Sequence, residues 1–296
     1  MPFKNILVCV DFTDISDAVV NSAAVLSKVF NAKLNLLTVV EQPIVFLHED
    51  FEGVIEPEEI EILIEVEKNL RKEAEEKLNK YAESLAKENI EVKTIIEVSV
   101  DIADTILDNI ENEKVDLVII GSHKKGLLDK LLLGSVSEKI INKSPVSTLV
   151  IKGRQIEKLE KLLVGYDFLP NSKEALHLAE EIAEKTKGEI FIVHGDTDSK
   201  NTHIISIYKS VREKKEKLLK DIIENLKQKG IKAKYEILEE NPVEAILDEI
   251  EKYNPDLTIV GKRKSSKIKR LFLGSTALKI VKNSSYPVLI VRKEND

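Results

Sequence analysis

The sequence predicts an α/β protein built from two repeated Rossmann-like domains, each a five-stranded parallel sheet flanked by helices. Three observations lead there. First, the chain is internally repeated: VDLVIIGSHKKGLLDKLLLGSVSEK at 115–139 aligns without a gap on PDLTIVGKRKSSKIKRLFLGSTALK at 255–279, an offset of 140. The starts of the two copies, ILVCVDFTD at 6–14 and LLVGYDFLP at 162–170, align at an offset of 156, so the period is half a chain and the repeat is a duplicated domain. Second, short apolar runs alternate with long amphipathic segments, the pattern of strands buried on both faces and of crossover helices. Third, two runs in each copy end in an acid or a glycine, where a doubly wound sheet receives its ligand.

Taken in order, strands are expected at 6–10, 34–39, 92–96, 117–120 and 147–151, and again at 162–166, 190–194, 233–238, 257–260 and 288–291. The first helices, 16–30 and 172–187, follow Asp, Asn and Ser residues suited to capping. The second, 66–88 and 210–229, are rich in Lys and Glu with Leu or Ile at helical spacing. Gly230 then stands where a glycine ends a helix. The third helices are 102–113 and 243–253, with Pro242 in a first turn that tolerates proline. The fourth are 132–142 and 272–283. Strand–helix alternation of this kind implies right-handed crossovers.

A short linker at about 152–158 divides the chain into domains 1–153 and 158–293, which are expected to pack as a pseudo-symmetric pair with their fifth strands adjacent. The offsets differ by 16, so the first copy carries extra residues between about 40 and 70, with Leu78 already matching Leu218. Phe46, Leu47, Phe51, Val54 and Ile55 lie among acidic residues there, as in a lid or a protein-docking segment.

Composition narrows the function. A net charge of −7 argues against general nucleic-acid binding, which leaves a basic footprint. The single cysteine, Cys9, excludes an internal disulfide and a cysteine metal cluster, and its apolar strand makes it a packed thiol. No apolar stretch reaches the length of a membrane span. The start MPFKNILVCVDF lacks the features of a signal peptide, so a cytoplasmic protein with no membrane partner is expected. There is no nucleophile elbow, no HExxH and no Walker pattern, which points to binding, with at most slow ATP hydrolysis. His194, Asp196, Asp198 and His203 cluster, but their spacing matches no metal motif and reads better as a loop after a strand-end histidine.

Strand one ends at Asp11 and, in the second copy, at Asp167; strand four ends at Gly121 and Gly261. If these strands are neighbours, acid and glycine face each other across the crevice. Gly134-Ser135 and Gly274-Ser275 open the fourth helices, whose free amides form an anion site. The loops between are basic: His123, Lys124, Lys125 and Lys130 in one copy, and Lys262, Arg263, Lys264, Lys267, Lys269 and Arg270 in the other. An acid, a glycine turn and an anion-binding helix start together describe a nucleotide site. The plainer alternatives are that Asp11 and Asp167 cap the following helices and that the basic residues are solvated surface.

The segment IIGSHKKGLLDKLLLGSVSEKII, the opening strand with Asp11, and the closing SPVSTLVIK and SSYPVLIVRK strands resemble the universal stress protein family, over nearly the whole chain and twice. The resemblance implies an adenine nucleotide alpha hydrolase-like fold with strand order 3-2-1-4-5. It also implies an adenine nucleotide (ATP, ADP or AMP), with Mg2+, bound through a pattern G-x2-G-x9-G-S/T. By that resemblance Asp11 and Asp167 hold the adenosine, Val39 lies along the adenine, and Gly195 occupies the matching place. Gly121, Gly134 and Ser135, like Gly261, Gly274 and Ser275, line ribose and phosphates, joined by the amides of Val136 and Thr276. The second glycine of the pattern is replaced by Lys124 and Lys264, either of which blocks close backbone approach or binds phosphate as a point charge. GSVSE keeps more hydroxyls than GSTAL, favouring the first copy. Three functions follow. The first is a stress-response regulator that binds nucleotide in one or both copies and acts on an unidentified protein partner. The second is a nucleotide-independent scaffold with degenerate pockets. The third is a slow ATPase. Association of two chains into a homodimer is a further expectation.

Overall fold

The computed structural model describes residues 3–42, 57–122, 133–197, 205–262 and 275–292. The apolar residues of the insertion, both basic loops with Lys124 and Lys264, Gly274, Asp198 and His203 lie outside the described residues. The first half runs β1 (Asn5–Cys9), α1 (Ser16–Phe30), β2 (Lys33–Glu41), α2 (Pro57–Lys87), β3 (Val92–Ser99), α3 (Ile102–Asn112), β4 (Leu117–Gly121), α4 (Ser135–Lys143) and β5 (Ser147–Ile151). The second runs β6 (Lys161–Gly165), α5 (Pro170–Thr186), β7 (Glu189–Gly195), α6 (Ile205–Gln228), β8 (Lys232–Leu238), α7 (Pro242–Tyr253), β9 (Leu257–Gly261), α8 (Ser275–Asn283) and β10 (Val288–Val291).

All ten strands form one sheet, ordered β3-β2-β1-β4-β5-β10-β9-β6-β7-β8. Pairing within each half is parallel. The halves meet where β10 runs antiparallel to β5, with Val288 opposite Val150 and Leu289 opposite Leu149. Side chains alternate across the pleat. Ile6 and Val8 therefore join one core under α1, α2, α5 and α6, whereas Leu7 joins another under α3, α4, α7 and α8. Each core draws residues from both halves, so the junction is an interior and not a seam. The outer strands carry Lys93 in β3, and Lys232 and Lys234 in β8; charge of this kind discourages further strand pairing.

Burial corrects the alignment of the second helices. Leu78 is fully buried, but Leu218 is 52% exposed and its neighbour Leu219 is the buried one. The strands agree: Leu34 pairs with Val92, and Ile190 with Ala233, so β8 follows β3 by 141 residues. The caps of α3 and α7, Asp101 and Asn241, return to 140. One of the extra residues therefore sits in the β3–α3 turn, where Val100 is exposed, and the others precede the buried part of α2. Residues placed in the insertion also extend α2, which starts at Pro57 instead of 66 and spans 31 residues, against 24 in α6. At about 1.5 Å per residue it is roughly 46 Å long.

Other boundaries moved for local reasons. Gly134 is extended (φ −61°, ψ 149°), so α4 begins at Ser135 and not at 132. The N-caps of α1 and α5 are Ile15 and Leu169, neither giving a side-chain cap. Gly230 has φ +76° and closes α6 as expected. The linker is packed: Ile156 is buried and its N–H donates to Ser22 Oγ at 2.9 Å. Arg154 lies 4.2 Å from the Tyr286 ring centroid.

Candidate functional site

The turn after β1 is built around Asp11. Its Oδ1 accepts from Thr13 N (3.2 Å), Thr13 Oγ1 (2.5 Å) and Ser16 Oγ (3.0 Å). Phe12 between them has φ 58°, and Phe168 in the second half has φ 64°. Non-glycine residues pay roughly 1–3 kcal/mol for that region and cluster at functional turns. Asp167 does less: its Oδ1 accepts from Leu169 N at 3.0 Å, and its own N–H donates to Ser172 Oγ at 3.3 Å. Neither aspartate caps its helix, so the capping alternative fails; each organises the turn that precedes it.

Because β1 and β4 are neighbours, Asp11 and Gly121 open on one crevice, and a cavity of about 470 Å³ lies there. Its walls include Val10, Leu37, Val39, Ile102, Ile106 and Ile120, and its far side is Gly134, Ser135, Val136 and Ser137 at the start of α4. This is the size of a small-molecule site, apolar with a few convergent polar groups. Gly121 is required by its surroundings, since a Cβ there would meet Ile15 Cγ2 at 2.7 Å. Ser137 Oγ donates to Gly121 O at 3.0 Å and ties α4 to the strand end. At Gly134 an added Cβ would find nothing within 4 Å, so that face is open to the cavity. The first amides of α4 have no intrahelical acceptor and give the cavity a positive pole. Cys9 also lines the wall, and burial pushes its thiol up to about 12, well away from nucleophile chemistry.

Among the described residues, the second half differs at the walls of the equivalent space. At the offset of 156, Cys9 and Val39 become Gly165 and Gly195. Helix α7 has settled into the room they leave. A Cβ on Gly165 would meet Ile246 Cδ1 at 2.7 Å, and one on Gly195 would meet Pro242 Cα at 2.5 Å. On the other wall, a Cβ on Gly261 would meet the Asn171 carbonyl at 2.5 Å, so the backbone of α5 presses where α1 offers only the Ile15 side chain. Ser275 opens α8 and Thr276 follows half-buried.

Near the end of β7, His194 is buried, with Nδ1 2.8 Å from Tyr166 O. A carbonyl only accepts, so the proton sits on Nδ1. Nε2 has no hydrogen-bond partner among the described residues. Burial, foremost, lowers its pKa and keeps the ring neutral. Phe168 packs edge-on against both Tyr166 and His194, and Asp196 pairs with Lys215 at 2.9 Å. No group of three metal-ligating side chains forms among the described residues.

One member of the second basic run is misread from sequence. Lys262 is not a loop cation; it is 9% exposed and points into the junction. Its Nζ donates to the carbonyls of Ile141 and Asn142 (3.1 Å each) and Ser144 (3.2 Å) at the end of α4. The available clue was that its counterpart at the offset of 140 is Ser122, an uncharged residue.

A 3-2-1-4-5 parallel sheet present twice, with an apolar crevice between β1 and β4, defines a tandem Rossmann-like α/β protein. The chain belongs to the universal stress protein family, whose model matches residues 2–152 and again 158–292. It is 39% identical over 88 residues to universal stress protein MJ0577 of Methanocaldococcus jannaschii, a stretch covering 30% of this chain and 54% of that protein. It is 30% identical over 145 residues to universal stress protein YxiE of Bacillus subtilis, covering 45% of this chain and 98% of the relative. A crystal structure of a universal stress protein from Archaeoglobus fulgidus DSM 4304 superposes with a TM-score of 0.76 at 24% identity, covering 97% of this chain and 98% of that one. Among the described residues no helix is long and apolar enough to cross a membrane.

Proposed function

We propose that this protein is a regulator that binds one adenine nucleotide per chain, in the crevice of the first half. One observation carries the reading: a cavity of about 470 Å³ joins a structured carboxylate, Asp11, to the open N-terminus of α4 through apolar walls. An adenine ring suits the slot beside Val39 and Ile102, Asp11 suits ribose hydroxyls, and the amides of Ser135 and Val136 suit a phosphate. Gly121 and Gly134 leave room for the ligand, and Lys124, which lies outside the described residues, is a candidate point charge for its phosphate on the sequence alone. In the second half, Gly165 and Gly195 lie against α7, which favours the first-half site over the one that Asp167, Gly261, Lys264, Gly274, Ser275 and Thr276 would form. Mg2+ would arrive on the nucleotide phosphates, since Asp11 is the carboxylate of the cavity wall.

The test is mass spectrometry of small molecules released from freshly purified protein, followed by calorimetric titration with AMP and with ATP plus magnesium. One equivalent per chain is expected, abolished by Gly134→Glu, which sets a carboxylate at the positive pole. An empty protein that also gives no heat sinks the reading. The scaffold alternative has its own observation: Ile62, Ile64, Val66 and Leu70 are exposed along α2. It predicts a protein partner retained without nucleotide and lost on Val66→Glu.

A further inference from the structure

The two halves grip each other's fourth helices, and they do so unequally. Position 292 corresponds to 152, and 262 to 122, at the offset of 140. Lys152 Nζ donates to the carbonyls of Val281 (3.3 Å) and Lys282 at the end of α8. Reciprocally, Arg292 Nη1 donates to Ser144 O at 2.6 Å, at the end of α4. Among the described residues a second cation joins on the α4 side, where Lys262 donates to three carbonyls, Ser144 O among them. Its counterpart Ser122 is buried, with a hydroxyl that has no partner among the described residues. The doubly held helix is the one whose first turn lines the cavity.

Resting on the nucleotide-binding reading, we propose that Lys262 is a positioning residue for the first-half site, through which the second half holds α4 with its amides aimed at the ligand's phosphate. The physical case has three parts. Helix α4 has nine residues, too few to be stable or oriented on its own. It is fixed at its start by Ser137 donating to Gly121 O, and at its end by Lys262 and Arg292. Cations at a helix C-terminus satisfy orphan carbonyls and offset the negative pole, which leaves the positive pole at the N-terminus less compensated. Lys262 is itself anchored, since Asn171 Nδ2 donates to its carbonyl. The second half thereby becomes a strut for the crevice of the first.

The experiment compares Lys262→Met, Lys262→Arg and Lys152→Met, all in the full chain. Lys152→Met removes the mirror contact at α8 and so controls for loosening of the junction. Calorimetry should show Lys262→Met weakening AMP about five- to tenfold with adenosine unchanged, Lys262→Arg recovering AMP affinity, and Lys152→Met leaving it intact. Hydrogen exchange of the α4 amides, measured without ligand, should rise in Lys262→Met and not in Lys152→Met. Unchanged AMP affinity and unchanged α4 exchange in Lys262→Met overturn the proposal, as does an equal loss of AMP affinity in Lys152→Met. Wild-type protein that binds neither AMP nor adenosine sinks the nucleotide reading instead, and the exchange result then decides alone whether Lys262 holds α4.

Discussion

Pro242 rests directly on Gly195: a methyl group added to that glycine would lie 2.5 Å from the proline Cα and 2.8 Å from its nitrogen. The contact marks a difference between the duplicated halves, since the corresponding residues in the first half, Val39 and Ile102, both line a cavity.

Gly195→Val should therefore destabilise the protein and not open a second site. The branched side chain meets backbone, which cannot rotate away, so the cost is about 3 kcal/mol. Thermal unfolding should fall by several degrees, with ligand stoichiometry still one. A gain to two ligands per chain would contradict the account of α7.

The two aspartates should separate cleanly. Asp11→Ala removes the acceptor for three donors in the turn and the carboxylate of the cavity wall, and should weaken nucleotide about tenfold. Asp167→Ala lies in the half where α7 packs on Gly165 and Gly195, and on the one-site reading should change affinity by less than about twofold. Equal losses from both would argue for two working sites.

Acidity provides a third test. Burial, and then the neighbouring Arg292, bring Lys262 down to about 8 from 10.5. Between those values the unfolded chain holds the proton and the folded chain does not, so this group's contribution to stability rises from pH 8 towards 10.5 and is flat below. Phosphate binding runs the opposite way, because charge at the end of α4 is lost above pH 8. Among the described residues the other charges about α4 are Arg292, Lys139 with Asp101 and Asp104, Lys143 with Asp104, and the Glu138–Lys282 pair. AMP affinity measured at pH 7 and pH 9 should fall in wild type and hold in Lys262→Arg; parallel curves would remove Lys262 from the explanation.

The register of α6 is checked by adjacent leucines. Leu219→Ala empties a fully buried position and should cost about 3 kcal/mol. Leu218→Ala touches an exposed side chain and should stay within about 0.5 kcal/mol in chemical denaturation. The reverse order would restore the offset of 140 through α6.

Much of this was legible in the residues. Doubling, strand positions and the adjacency of the fifth strands follow from repetition and from runs such as LVII and LTIV, because a parallel strand buried on both faces leaves little latitude. The convergence of Asp11, Gly121 and Gly134 followed from strand order. The packing of α7 on Gly195 was hidden, since a glycine reads alike whether it faces a ligand or a helix. The inward turn of Lys262 was masked by five cations that follow it within eight residues. The slip from Leu218 to Leu219 arose because one extra residue sits at Val100, where an exposed turn absorbs it without leaving a pattern.

The antiparallel join of β5 to β10 has a final consequence. Were the halves separate polypeptides, their pairing would depend on how much of each the cell made and would dissolve on dilution. Joined by the packed residues around Ile156, each sees its partner at an effective concentration of roughly millimolar. A duplicate held so firmly can stiffen its sibling at any dilution, with no assembly step to wait for.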